Sequence, residues 1–192
     1  EHLVKKNKKV VVLDNLSTGR IENLRDFKKK IKFIKCDISK KGKWMKEFQG
    51  RCYIFHIAAL ADIVPSIQNP TKYFESNVTG TLNVLEASRR AKIVKFLYSA
   101  SSSCYGLAAV PTDECHKIEP MYPYALSKYQ GEQAAFHWYR VYGLPVNSIC
   151  IFNAYGPRVK TNGAYGAVFG VFLKQFLEHK PLTLVGDGTQ KR

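Results

Sequence analysis

Two observations predict an α/β fold with a doubly wound parallel sheet. Five short apolar runs rich in β-branched and aromatic residues recur along the 192 residues, separated by amphipathic helical stretches. The runs are nearly continuous in hydrophobicity, as expected of strands covered on both faces. Strand, helix, strand, repeated, gives right-handed parallel β-α-β units.

The elements follow in order. "EHLVKKNKK" reads as the last turns of a helix feeding a strand at "VVVLD", residues 10–14. "IKFIKCD" (31–37) and "CYIFHIA" (52–58) are the next two strands. "NPTKYFESNVTGTLNVLEASRRA" sets Tyr73, Val78, Leu82 and Leu85 on or near one stripe of a helix. "VKFLYSA" (94–100) is the fourth strand. A second long helix over 124–143 opens after Pro123, which suits a first turn, and stops at Gly143 with Pro145 beyond. "VNSICIF" (146–152) is the fifth strand. Residue 1 is not methionine and "LVGDGTQKR" ends on no stop signal, so a fragment of a longer chain is expected. Its domains are expected to be an N-terminally shortened dinucleotide domain over 1–158 and the start of a substrate-binding region over 159–192.

Composition narrows the function. A hydrophobic content of 45% argues against disorder, and no apolar run approaches the length of a membrane span. Five scattered cysteines, without C-x-x-C pairs, fit reduced thiols in a cytoplasm. The net charge of +15 is concentrated in "KKNKK", "KKKIKFIK" and "KKGK". No aromatic residues interleave with these lysines and no helix-turn-helix or zinc pattern accompanies them, so they read as solvated faces rather than a nucleic-acid surface.

The chemistry-bearing residues lie at strand ends and on one helix. Asp14 closes the first strand, where a carboxylate accepts hydrogen bonds from the ribose of an adenine dinucleotide and disfavours an extra ribose phosphate. No G-x-x-G-x-x-G turn precedes it in this chain. Asp37 ends the second strand, toward the adenine edge. "FLYSASSSCYG" runs a strand into a serine cluster, beyond the carboxyl end where ligands of open α/β sheets bind. Tyr124 and Lys128 in "YPYALSK" share one helix face at i and i+4. By itself that spacing is an ordinary aromatic–lysine pair. Together with a strand-end serine and a ribose-binding Asp in this order, it points to a phenolate base favoured by an ammonium, a serine hydroxyl opposite, and hydride transfer to a nicotinamide.

"VVLDNLSTG", "CDI", "FHIAALA", "NVTGTLNVLEA", "SASSSCYG", "YPYALSK", "IFNAYGPR" and "LVGDGTQKR" resemble the extended short-chain dehydrogenases/reductases of nucleotide-sugar metabolism, most of all the UDP-hexose 4-epimerases. The resemblance runs through almost the whole chain. It implies a Rossmann-type sheet without its first strand and glycine-rich turn, that strand belonging at the centre between the second and fourth strands of the complete fold. It implies Asp14 and Asn15 at the adenosine ribose, Asp37 and Ile38 at the adenine, and Ala58, Ala59, Leu60, Asn77 and Ser99 along NAD. Ser101, Tyr124 and Lys128 are implied as the catalytic set, Lys128 also holding the nicotinamide ribose. Ser101, Ser102, Tyr124, Asn153 and Arg192 are implied at the UDP-sugar. Cys150 stands where relatives carry Arg.

The implied reaction is C4 epimerisation through a 4-keto sugar by a cytoplasmic homodimer joined through helices 70–91 and 124–142, without metal or nucleic acid. The related dehydratases and decarboxylases carry acidic residues after the catalytic hydroxyl, where this chain has Ser102 and Ser103. A non-catalytic NAD-binding scaffold or sensor is the alternative of another class.

Overall fold

The computed structural model describes residues 1–154, 156–158, 168–184 and 186–188. One helical turn, α1 (His2–Lys5), leads into β1 (Val10–Asp14), which pairs in parallel with β2 (Ile31–Lys35), Val10 opposite Ile31 and Asp14 opposite Lys35. β3 (Tyr53–His56) pairs in parallel with β4 (Lys95–Ser101), and β4 with β5 (Val146–Ile151). Every described ladder is parallel, as the alternating pattern requires.

The strands form two sheets, β1-β2 and β3-β4-β5. The division falls between β1 and β3, the strands between which the sequence reading places the first strand of the complete fold. Each has a single ladder partner among the described residues. One departure from expectation concerns coverage. Along β4, Phe96, Tyr98 and Ala100 are buried while alternate residues face the other way. On that other side Tyr53, Phe55 and Ile149 are 63%, 50% and 50% exposed, so only one face of this sheet is packed.

The packed face carries the core. α4 (Gly80–Arg90) and α5 (Pro123–Tyr142) lie against each other, and α5 lies on β4. Val84 and Leu85 of α4 and Ala135 of α5 join Phe96, Tyr98, Trp44 and Phe48 in one cluster, with Leu13, Ile38 and Ile54 packed around it. α5 starts with Pro123 at its first turn and ends at Gly143, whose φ of 68° suits glycine and lets the chain turn back to Leu144, buried at the cap. The helix expected over 70–91 contains one irregularity. α3 (Pro70–Phe74) passes through a π-helical turn, Glu75–Thr79, before α4 begins. A short helix, α2 (Ile63–Gln68), precedes it.

Glu1–Phe152 form one compact unit and Asn153–Arg192 a second. In the second, α6 (Val168–Leu177) is followed by a segment tied to it, the Thr183 amide donating to Gln175 Oε1 at 3.2 Å.

Candidate active site

The site is built where strands end. β4 closes at Ser101, and residues Ser102–Tyr105 turn tightly after it. The Tyr124 hydroxyl, on the first turn of α5, donates to Ser101 Oγ at 3.2 Å. Ser101 Oγ also accepts the Ser103 amide at 3.3 Å and lies 2.8 Å from Ser103 Oγ. With two donors already aimed at its oxygen, Ser101 directs its own proton to Ser103. If Tyr124 is ionised, that proton can turn to the phenolate. The Tyr73 ring stands edge-on to Tyr124, centroids 6.4 Å apart, and restricts the phenol's swing.

Lys128 sits one turn along α5 and is only 5% exposed. Burial draws its ammonium down to about 8, opposed by the Glu132 carboxylate. Its Nζ rests 4.5 Å from the centre of the Tyr98 ring.

Of the residues expected at the dinucleotide, Asp14, Asn15, Asp37, Ile38 and the run Ala58–Leu60 lie at or just beyond the carboxyl ends of β1, β2 and β3, whereas Ser99 lies within β4 and Asn77 and Lys128 lie on helical segments. Asp14 closes β1, and its Oδ1 accepts the Leu16 amide at 2.7 Å, which fixes the carboxylate in its turn. A Cβ on Gly19 would lie 3.0 Å from the other carboxylate oxygen, so glycine keeps that oxygen's flank clear. Asn15 is exposed, its Oδ1 accepting the Ser17 amide at 2.9 Å. Asp37 is exposed and accepts both the amide and the hydroxyl of Ser39. Ile38 packs over Gly80 of α4, and Asn83 donates to the carbonyls of Ile38 and Ser39 at 2.9 and 3.0 Å, anchoring that loop. A half-buried or exposed carboxylate held by its own turn fits a ribose diol, and apolar Ile38 fits an adenine face.

Asn77, expected near the cofactor, holds the loop that carries Leu60. It is 1% exposed, at the π-helical turn, with its side chain committed to protein. Oδ1 accepts the Leu60 amide at 2.8 Å, while Nδ2 donates to the Leu60 carbonyl and to Ser127 Oγ, both at 3.0 Å. Ser127 Oγ in turn donates to the Tyr124 carbonyl at 2.8 Å. Asn77 therefore clamps the loop carrying Ala58, Ala59 and Leu60 to the helix carrying Tyr124. Ser99 lies half-buried on β4 opposite Ile149, and Ser102 half-buried after it. Asn153 opens the second unit, and Arg192 lies outside the described residues.

Sequence reasoning missed Ser127, Asn83, Tyr98 and Gly131. Ser127 lies inside the quoted "YPYALSK", but a buried serine and an exposed one look alike in sequence. Among the described residues, no cluster of three or more His, Cys, Asp or Glu is placed to hold a metal, and no helix is long and apolar enough to cross a membrane.

A family model described as "NAD dependent epimerase/dehydratase family" matches residues 1–192. The chain is 34% identical over 195 residues to a putative UDP-glucose 4-epimerase of Methanocaldococcus jannaschii, covering 100% of this chain and 63% of that protein. It is 30% identical to a UDP-N-acetyl-alpha-D-glucosaminuronate decarboxylase of Bacillus cytotoxicus, over 100% of this chain and 61% of that one. Its fold matches the crystal structure of the Thermus thermophilus UDP-glucose 4-epimerase complex with NAD at a TM-score of 0.86 and 31% identity, over 95% of this chain and 59% of that one. The chain thus spans about three fifths of the length of these relatives. Matched along all of its residues, with parallel sheets and strand-end loops as described, the chain belongs to the NAD-dependent epimerase/dehydratase family.

Proposed function

We propose that the complete protein inverts C4 of a UDP-sugar through a 4-keto intermediate. The observation that carries this reading is the 3.2 Å hydrogen bond between the Tyr124 hydroxyl and Ser101 Oγ, with Lys128 on the next turn of the same helix. Tyr124, as phenolate, takes the proton of the sugar 4-hydroxyl, and Ser101 hydrogen-bonds the same sugar oxygen. The Lys128 charge favours the phenolate. Bound NAD supplies the acceptor for the C4 hydride and its source when hydride returns to the opposite face. Asp14 with Asn15 would hold the adenosine ribose, Asp37 with Ile38 the adenine, and Ala58, Ala59, Leu60, Ser99 and Lys128 the rest, with Asn77 acting through Leu60. Ser102, Asn153 and Arg192 complete the sugar-nucleotide contacts in this reading.

The relatives act on several UDP-sugars, and one is named a decarboxylase. Epimerisation is favoured here because Ser102 and Ser103 stand where eliminating relatives carry acids, and Ser103 is already bonded to Ser101. Tyr124→Phe in the NAD-loaded protein is expected to lower turnover by about 10²–10⁴-fold while sugar-nucleotide binding persists. Near-normal turnover refutes the assignment, and a dehydrated or decarboxylated product moves the protein to the sister activity. We further infer a cytoplasmic homodimer through helices 70–91 and 124–142. The exposed Tyr139, Val141 and Tyr142 at the end of α5 and the five free thiols support this, and sedimentation tests the assembly.

A further inference from the structure

We propose that Tyr98 is the positioning residue for Lys128, gripping it at two points, and that Gly131 exists to admit the Tyr98 hydroxyl into helix α5. This rests on reading Lys128 as the ammonium beside the base Tyr124.

Tyr98 is fully buried in the middle of β4, beneath α5. Its ring faces the Lys128 side chain, Nζ 4.5 Å from the centroid, so the negative ring face opposes the buried ammonium. Its hydroxyl donates to the Lys128 main-chain carbonyl at 2.9 Å. Burial pushes the Tyr98 phenol up, which keeps it a donor at any pH where the protein works. One side chain therefore fixes both the backbone position and the charged end of Lys128. A lysine has four side-chain torsions, and nothing else described offers its Nζ a second flat, apolar support of this kind.

The helix is cut to fit. A Cβ built on Gly131 would collide with the Tyr98 hydroxyl and would lie 3.1 Å from both the Tyr98 Cζ and the Asn77 carbonyl. Gly131 lies mid-helix, where glycine costs stability relative to alanine, so its presence calls for a local reason. The reason is the hydroxyl's path to the Lys128 carbonyl. The groups facing this assembly are Glu132 on α5, His56 on β3 and Tyr124 on α5. Glu132 raises the Lys128 affinity for a proton, while His56 is itself held neutral in part by Lys128. The His56 ring lies against Tyr98 with centroids 5.8 Å apart.

The experiment pairs Lys128 titration, read by lysine-selective NMR of the NAD-loaded protein, with the pH–rate profile. Tyr98→Leu removes ring and hydroxyl. The Lys128 midpoint should then fall by about half to one pH unit, and the alkaline limb of the rate profile should move down with it. Tyr98→Phe keeps the ring, so the midpoint should stay while turnover drops several-fold. Gly131→Ala should cost more than tenfold in turnover, and adding Tyr98→Phe to it should recover part of the loss. A Lys128 midpoint unmoved in Tyr98→Leu, or moved equally in Tyr98→Phe, overturns the proposal. So does a Gly131→Ala/Tyr98→Phe pair no more active than Gly131→Ala, which keeps the test open if Tyr98→Leu does not fold. Because the titration needs no catalysis, it separates the two readings: normal turnover in Tyr124→Phe sinks the acid–base role and leaves the grip on Lys128 standing.

Discussion

Replacing Lys128 by methionine should make the protein more stable and inactive. The side chain is 5% exposed, and burial lowers its ammonium from 10.5 to about 8. Between those values the unfolded chain holds a proton that the native state has released, so stability rises with pH across this window. Below about 8 both states are charged, and the native state bears the whole cost of a buried cation. A fall of that size corresponds to roughly 3 kcal/mol. The Tyr98 ring returns about 0.5–2 kcal/mol of it as cation–π attraction. Methionine fills nearly the same space without charge, so Lys128→Met should gain about 1–2 kcal/mol at pH 7. Urea unfolding at pH 7, 8, 9 and 10 is the assay. The native protein should stiffen against urea as pH climbs from 8 to 10, and the variant should show a smaller rise. A variant less stable at pH 7, with an unchanged slope, would show that the lysine is a net structural asset and would refute the reasoning.

Three further outcomes are expected. His56 titrates at about 3 when folded against 6.5 in the reference state, so the unfolded chain protonates first and stability is lost as pH falls below 6.5. His56→Gln should remove about 2 kcal/mol of the loss between pH 7 and pH 5, measured by urea melts. Asn77→Ala strips partners from the Leu60 amide and carbonyl and from Ser127; it should cost about 2–3 kcal/mol and expose the loop around residue 60 to faster protease cleavage. Gly106 has a φ of 63°, and an added Cβ would collide with the Glu119 carbonyl. Gly106→Ala should therefore destabilise by about 1–3 kcal/mol, with loss of thermal midpoint as the readout.

The strands and the two site-bearing helices were legible because their signals are local. Apolar runs set β1 to β5 to within two residues of their observed ends, and Pro123 and Gly143 bracket α5 through backbone constraints visible in sequence. The Ser101–Tyr124 meeting was legible because a strand end and a helix start lie on one crossover. Ladder partners are non-local, and a run such as "CYIFHIA" cannot say how many neighbours it has. That is why the open face at Tyr53 and Phe55 was not foreseen from hydrophobicity, and why the place where the sheet divides followed only from the resemblance, which puts a further strand between β1 and β3. Asn77 and Tyr98 were opaque for another reason. "ESNVTG" does not announce a buried amide; Asn77 lies in the π-helical turn, four residues from the buried Tyr73 and Thr81, and what its amide bridges, Leu60 and Ser127, comes from distant stretches of the chain. An apolar strand position admits any aromatic residue, and the hydroxyl of Tyr98 has meaning only because Gly131 lies above it.

The same buried network explains why one cation, and not two, occupies this core. Thr81 has a single hydroxyl proton, which it gives to the Asn77 carbonyl at 2.6 Å. The His56 Nε2 that lies 2.8 Å from Thr81 Oγ1 must therefore be the donor, which sets the neutral tautomer. Burial, with the Lys128 charge adding to it, holds the imidazole neutral down to about 3. The hydrogen bonds thus run in one direction, from His56 through Thr81 into the turn that carries Asn77, and from Asn77 through Ser127 to the Tyr124 carbonyl. An imidazolium beside Tyr98 would compete with Lys128 for the same ring and repel it. Keeping His56 neutral leaves Lys128 as the one buried cation among the described residues, with the Tyr98 ring to itself.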